Sequence, residues 1–256
     1  MLLIKIVTNN SNKDYEKSPD AILKEVKKLY LNESGVLPFF DIEEINVSNN
    51  AKENNKIVIQ KTKVFLERSE KCMALSEDNS ITTLCFEAFA QKFQNPGLVI
   101  FDAHPNCIIS PETNKNYLRA LIEKNILKKE NIILVGLRSW HKDEYEFLKN
   151  NKVKFFSMKE ISSESLDEIS HSIMSVAKNF DGLYISIDID VVDPASAPGT
   201  NDPEPGGLTS RELLFLLSRI NMLKNLKFID LMGIEPKKDL NNLTAKLGAK
   251  IISELC

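Results

Sequence analysis

Short β-branched and aliphatic runs alternate with longer stretches of helical period along this chain, and that alternation constrains its fold more than any other feature. Strands separated by helices pair in parallel, because a parallel neighbour is reached only through a crossover connection. LLIKIVT opens as a strand, and Ser18-Pro19-Asp20 then starts a helix whose Ile22, Leu23, Val26 and Leu29 recur on one face. A short strand near Glu44–Val47 follows, then an Asn- and Lys-rich loop over Asn49–Lys56 and an amphipathic helix through Phe65. Further strands are expected at CMALS (72–76), GLVIFDA (97–103), NIILVGL (131–137), VKFFSM (153–158), LYISIDI (183–189) and KFIDLMGI (227–234). These runs are apolar on both faces, as strands are when helices cover each side of the sheet. The expected fold is α/β, three layers in the order α/β/α around a mostly parallel sheet. With 256 residues and 43% hydrophobic content the chain buries a core of adequate size, so one domain over 1–256 is expected.

Charge and cysteine usage narrow the function classes. The formal charge of −3 comes from 33 basic and 36 acidic residues mixed along the chain, with no basic block and no aromatic interleaving. That pattern argues against a nucleic-acid partner. The apolar run in MLLIKIVTNN is too short for a signal peptide and no later run approaches a membrane span, so a cytoplasmic protein is expected. Cys72, Cys85, Cys107 and Cys256 form no CxxC pair and read as reduced thiols with a structural role.

Ligands of open α/β sheets collect outside the carboxyl ends of the strands, so polar residues that break the apolar pattern there are candidates for chemistry. In FDAHPNC, Asp102 and His104 lie two apart in an extended segment and point to one side of the chain, as two ligands of a divalent cation would. A helix-capping Asp and a loop His account for the same pair. In SIDIDVVDP, Asp188 and Asp190 share a face at the end of a buried run, where two carboxylates need a cation or a shared proton. Asp193-Pro194 turns the chain, and the turn alone explains Asp193. The Pro- and Gly-rich APGTNDPEPGG follows, either a ligand loop or a plain surface loop. In GIEPKKD, Glu235 ends the strand that begins near Lys227, where a buried carboxylate suits a planar guanidinium and a solvated strand-end acid is the plainer reading.

DAHPNC, SIDIDVVDPASAPGT and GIEP, in that order, resemble the ureohydrolase motifs DAHxD, S(F/I)DxDxxDPxxAPGT and the Glu-x-Pro strand end. YEKSPDAIL resembles the first helix entry of that superfamily of arginases, agmatinases and formiminoglutamases, and ILVGLRSWHKDEYEFLKNNKVKFFSM its middle section. The resemblance implies an arginase-like fold and a Mn²⁺-dependent hydrolase that cuts a C–N bond of a small guanidino compound. It implies metal ligation by Asp102, His104, Asp188 and Asp190, with Asp102 and Asp188 bridging, and a guanidinium-facing Glu235. Trimers or hexamers are usual in the family, so a homo-oligomer is expected.

Two departures fall on one half of the implied two-metal site. LSEDNSITT occupies the place of the family's GGDHS, so the ligand His is Asn79 here, with Ser76-Glu77 replacing Gly-Gly; the last Asp of DAHxD is Asn106. Neutral amides are poorer ligands for a manganese-like ion, so one ion is expected rather than two. The stretch Ile108–Leu118 also lacks the histidine that relatives use as a proton shuttle. His141, in SWHKDEY, is the candidate replacement, with a solvated loop histidine as the plainer reading; His171 reads as surface. Three functions stay open: a ureohydrolase-like enzyme, a single-metal hydrolase of another amide or amidine, and a noncatalytic binding or regulatory relative. Arginine, agmatine, guanidinobutyrate and formiminoglutamate are separated by loop contacts, and SWHKDEYEF leans toward the agmatinase pattern.

Overall fold

A computed structural model describes residues 1–7, 18–46, 51–77, 79–110 and 113–256. The strands are β1 (Leu2–Val7), β2 (Asp41–Asn46), β3 (Cys72–Leu75), β4 (Pro96–Phe101), β5 (Ile132–Leu137), β6 (Lys154–Ser157), β7 (Gly182–Asp188) and β8 (Leu226–Met232). They form one sheet in the order β2-β1-β3-β8-β7-β4-β5-β6, and the expected mostly parallel sheet is parallel at every pairing. The helices are α1 (Ser18–Val26), α2 (Ala51–Arg68), α3 (Ser80–Ala90), α4 (Thr113–Glu123), α5 (Lys142–Asn150), α6 (Met158–Ile161), α7 (Leu166–Ala177), α8 (Ser210–Asn221) and α9 (Leu243–Leu255).

Successive strand residues face opposite sides, so each strand feeds two cores. Leu3, Met73, Val99, Phe101, Ile133 and Ile185 pack under α1, α7, α8 and α9. Ile4, Ala74, Leu98, Ile100, Leu134 and Tyr184 pack under α2, α3, α4 and α5. No helix among the described residues is long and apolar enough to cross a membrane.

Two sequence expectations change here. The loop expected over Asn49–Lys56 is helical from Ala51, while Asn49 and Asn50 lie outside the described residues. Asn54 and Thr62 are buried in register with Val58 and Phe65, so two polar residues complete the inward stripe of α2 and hid its period. The strand expected to run to Glu235 stops at Met232, because Gly233 turns the backbone to a φ of 82°. Glu235 therefore belongs to the segment beyond the strand.

Candidate metal centre

The carboxyl ends of β8, β7 and β4 stand side by side in the middle of the sheet, and the residues just past them form the floor of a cavity of about 450 Å³. Strand β4 ends at Phe101, so Asp102 begins the connection. Its carboxylate is 1% exposed; Oδ1 accepts the His104 backbone N–H at 2.7 Å, which folds the segment back and brings the imidazole over it. After Asp188 the chain enters a short 3-10 turn, Ile189–Val191, instead of continuing extended. Asp188 and Asp190 therefore reach the same cavity through that turn, in which Asp188 Oδ1 accepts the Asp190 N–H at 3.1 Å.

Asp102, His104 and Asp190 offer ligand atoms within 4.8 Å of one another. Asp190 Oδ1 accepts the Ala103 N–H at 3.0 Å, and Oδ2 stands 2.9 Å from His104 Nδ1. Without an ion Nδ1 can donate to this carboxylate; as a metal ligand it would give up that hydrogen. Asp188 lines the wall beside them, with Oδ1 pressed against Gly233 so closely that a Cβ there would come within 2.2 Å. Burial, followed by the charge of Asp190, holds the Asp102 and Asp188 carboxyls well above their ordinary range. Burial opposes a charged imidazole at His104, but its contacts with Asp102 and Asp190 outweigh burial and raise it. The donor set of hard oxygens and one imidazole, carrying buried negative charge that wants a counter-ion, fits a Mn²⁺-like cation.

Arg138, just past β5, braces this arrangement. Its Nη2 donates to the Asp190 carbonyl at 2.6 Å and to the Glu204 carbonyl at 2.7 Å, and Nη1 donates to Val191 and Gly136 carbonyls at 3.3 Å. One guanidinium thus ties the ligand turn to the following Pro- and Gly-rich loop. Asp193 does the turn-forming work expected of it: its Oδ1 accepts the Ala195 N–H at 2.9 Å and its Oδ2 the Gly206 N–H at 2.7 Å.

Comparison with known proteins settles the lineage. The Arginase family model matches residues 6–256. The chain belongs to the arginase family. It is 28% identical over 236 residues to an arginase of Staphylococcus aureus, covering 83% of this chain and 78% of that protein. It is 28% identical over 225 residues to the agmatinase of Bacillus subtilis, covering 86% and 74%. The crystal structure of formimidoylglutamase from Bacillus subtilis superposes with a TM-score of 0.92 at 24% identity, over 99% of this chain and 85% of that one, and shows the shared fold.

Within this arginase-family frame the two amides occupy distinct environments. Asn79 caps α3, lines the cavity, and has a buried Oδ1 with no hydrogen-bond partner among the described residues. Asn106 has a left-handed φ of 53° and donates Nδ2–H to Asp102 Oδ2 at 2.6 Å. The Asn106 amide thus offers Asp102 a hydrogen bond on the oxygen opposite the one that folds His104 in. Asp78 of the same segment lies outside the described residues.

His141 lines the cavity and its backbone N–H donates to Glu144 Oε2 at 3.0 Å. His171 is exposed on α7 beside Arg219. Glu235 is buried two residues past the cavity-lining Gly233; its N–H donates to the Gly199 carbonyl at 2.8 Å and its Oε1 accepts the Lys237 N–H at 3.3 Å. Cys72, Cys85 and Cys107 are free and buried, and burial pushes each thiol up to about 12. Sequence reasoning passed over Arg138, Glu144 and Glu204. An Arg directly after a strand and a Glu three residues past a helix cap were readable signals; a Glu between two prolines was not.

Proposed function

We propose that this arginase-family protein is a hydrolase of a C–N bond in a small guanidino-type compound, working with one Mn²⁺-like ion held by Asp102, His104, Asp188 and Asp190. The observation that carries this reading is the convergence of Asp102, His104 and Asp190 within 4.8 Å, with His104, Asp190 and Asp188 lining one cavity and Asp102 buried behind them. Bound there, such an ion supplies Lewis acidity, lowering the pKa of water so that hydroxide is available near neutral pH.

The chain's own residues supply the rest. Asp102 and Asp190 hold the His104 ring with Nδ1 inward, and Arg138 fixes the ligand turn from behind. His141, on the cavity wall, is placed to carry a proton to the leaving nitrogen. A one-ion centre follows from the opposite half, where Asn79 and Asn106 present neutral amides. Asn106 donates to Asp102, which is the contact a second cation would have to displace. That same contact favours a second reading, a noncatalytic arginase-family protein that binds a guanidino compound without cutting it. Homo-oligomerisation, as a trimer or hexamer, and a cytoplasmic site of action belong to the proposal as well.

Metal content per subunit after growth in manganese, combined with a urea- and formamide-release screen over arginine, agmatine, 4-guanidinobutyrate and formiminoglutamate, tests this function. One ion and turnover of one compound are expected, and Asp190→Ala should lose both. Turnover that persists in Asp190→Ala or in a chelator would refute the metal-dependent reading, and binding without turnover would select the noncatalytic one.

A further inference from the structure

Between α1 and β2 the chain reads KKLYLNESGVLPFF over residues 27–40, a run rich in large apolar side chains for an outer connection. Leu29 and Phe40, near its two ends, turn inward and pack against the core on the α1 and α9 side of the sheet. The apolar side chains between them turn the other way. Tyr30, Leu31, Val36, Leu37 and Phe39, with Ile42 of β2, are each at least half exposed, from 50% at Ile42 to 87% at Tyr30. Together they present on the order of 700 Å² of apolar surface, more than the roughly 300–600 Å² of the largest such patch on a typical monomer.

Polar residues hold the loop in this posture. Asn32 Oδ1 accepts the Ser34 and Val36 N–H groups at 3.1 and 2.9 Å, and its own N–H donates to the Val36 carbonyl at 2.9 Å, so the arms carrying Leu31 and Leu37 run side by side. Gly35 supplies the left-handed φ of 74° at the tip. Glu33 accepts both Arg211 Nη groups at 2.7 and 2.9 Å, its N–H donates to Glu254 Oε1 at 3.0 Å, and Asn32 Nδ2 donates to the Ser253 carbonyl at 3.4 Å. The polar side of the loop is thus tied to α8 and α9 while its apolar side faces solvent. The chain's segments outside the described residues are too polar to cover it, since 8–17 read TNNSNKDYEK and 47–50 read VSNN.

We propose that this face is where a second copy of the chain docks, about a two-fold axis. The inference rests on the homo-oligomer proposed above, not on the metal centre, and it names the surface and the symmetry. Specific interfaces take roughly 800 Å² from each partner, close to what the patch offers. A loop already fixed by its anchors loses little freedom on docking. In a two-fold contact the same patch meets itself, so apolar side chains cover one another and the rim must carry charges of both signs. Exposed Lys27 and Lys28 precede the patch and exposed Asp41 and Glu44 follow it, so one copy's lysines can stand against its partner's acids. Pairing of two β2 edges is the alternative, but Asp41, Glu43 and Glu44 along that edge strand would set like charges against each other. A ring of three contains no two-fold, so this surface selects a dimer or the hexamer over the trimer.

Sedimentation velocity of the full chain, over a wide range of concentration, tests the surface on native protein, Leu37→Asp with Phe39→Asp, and Tyr30→Asp. Met222→Asp is the control, 67% exposed and at the opposite end of α8 from Arg211. Native protein should sediment as a dimer or a multiple of one. The double variant should fall to half that mass, with a dissociation constant raised roughly 100-fold or more, and the control should match native protein. Tyr30→Asp, at the most exposed of the six positions, guards against a fold defect in the double variant and should weaken association in the same direction. A native trimer, or a native mass that both patch variants leave unchanged, overturns the inference alone. Equal dissociation of Met222→Asp also overturns it, because the effect would not belong to this face. Native protein that stays monomeric refutes the homo-oligomer reading itself, and none of these results bears on the hydrolase reading.

Discussion

Asn106→Asp probes the half of the centre that carries amides. In the native protein Asn106 Nδ2–H donates to Asp102 Oδ2 at 2.6 Å, a hydrogen bond to a buried carboxylate. Replacing the amide removes that donor, at a cost of about 1.5–3 kcal/mol. It also sets two carboxylates against each other, and unit charges at that spacing repel by about 6 kcal/mol at an effective dielectric of 20. Above neutral pH, where the pair no longer shares a proton that would restore a hydrogen bond, the repulsion adds to the donor loss, so about 1.5–3 kcal/mol is the least the change should cost. For a chain of this size the melting temperature with chelator should fall by about 3–12 °C or more. The φ of 53° at residue 106 adds no penalty, since Asp tolerates the left-handed region nearly as Asn does. In manganese at a hundredfold excess over Kd the ion should return about 2.7 kcal/mol, and Asn79→His added to Asn106→Asp should raise the stoichiometry to two. Scanning calorimetry in chelator and in Mn²⁺, with titration calorimetry for the ion count, reads both effects. An unchanged melting temperature in chelator would refute the hydrogen-bond argument. A double variant that still takes one ion or none would place the closure of that half in the backbone of Ser76–Ser80 instead of in the two lost side chains.

Arg138→Lys should cost roughly 2 kcal/mol, because an ammonium cannot fork to the carbonyls of Asp190, Val191 and Glu204 at once; limited proteolysis should then cut within residues 199–207, and an unchanged cleavage pattern would count against the clamp. Asp230, fully buried under the sheet and bonded to Thr82 and Tyr184, is pushed by burial from 3.8 up to about 6. Its folded pKa is raised, so the stability it contributes is full below about pH 4 and is lost as pH rises through 6. Urea unfolding in chelator at pH 4.5 and pH 7 should show native protein losing on the order of 2 kcal/mol more than Asp230→Asn across that interval, and equal losses would refute the assignment.

Much of this architecture was legible in the chain because its determinants are local. Most strands carry an apolar run of their own, though β2 (DIEEIN) does not, and the intervening helical periods force crossovers, so the parallel sheet follows largely from short-range pattern. The ligand residues sit two apart in DAH and DID, close enough in sequence that any turn at a strand end brings them together, whether extended as expected or through the 3-10 turn found after Asp188. Where polar residues serve the core the pattern failed, as with Asn54 and Thr62 on the inward face of α2.

What only the tertiary structure decided are relations between residues far apart in the chain. Glu235 matches its motif, yet Gly233 ends the strand early, so that acid stands on the segment past β8 and its backbone is held by Gly199, 36 residues earlier. Glu204 reads as one acid in a surface loop, yet Arg138, 66 residues earlier, anchors its backbone and sets its carboxylate at the edge of His104. The physical reason is the range of the forces involved. Periodicity and turn chemistry act over a few residues and leave their mark in the sequence, whereas a side chain's access to a cavity depends on which distant carbonyl holds its backbone in place.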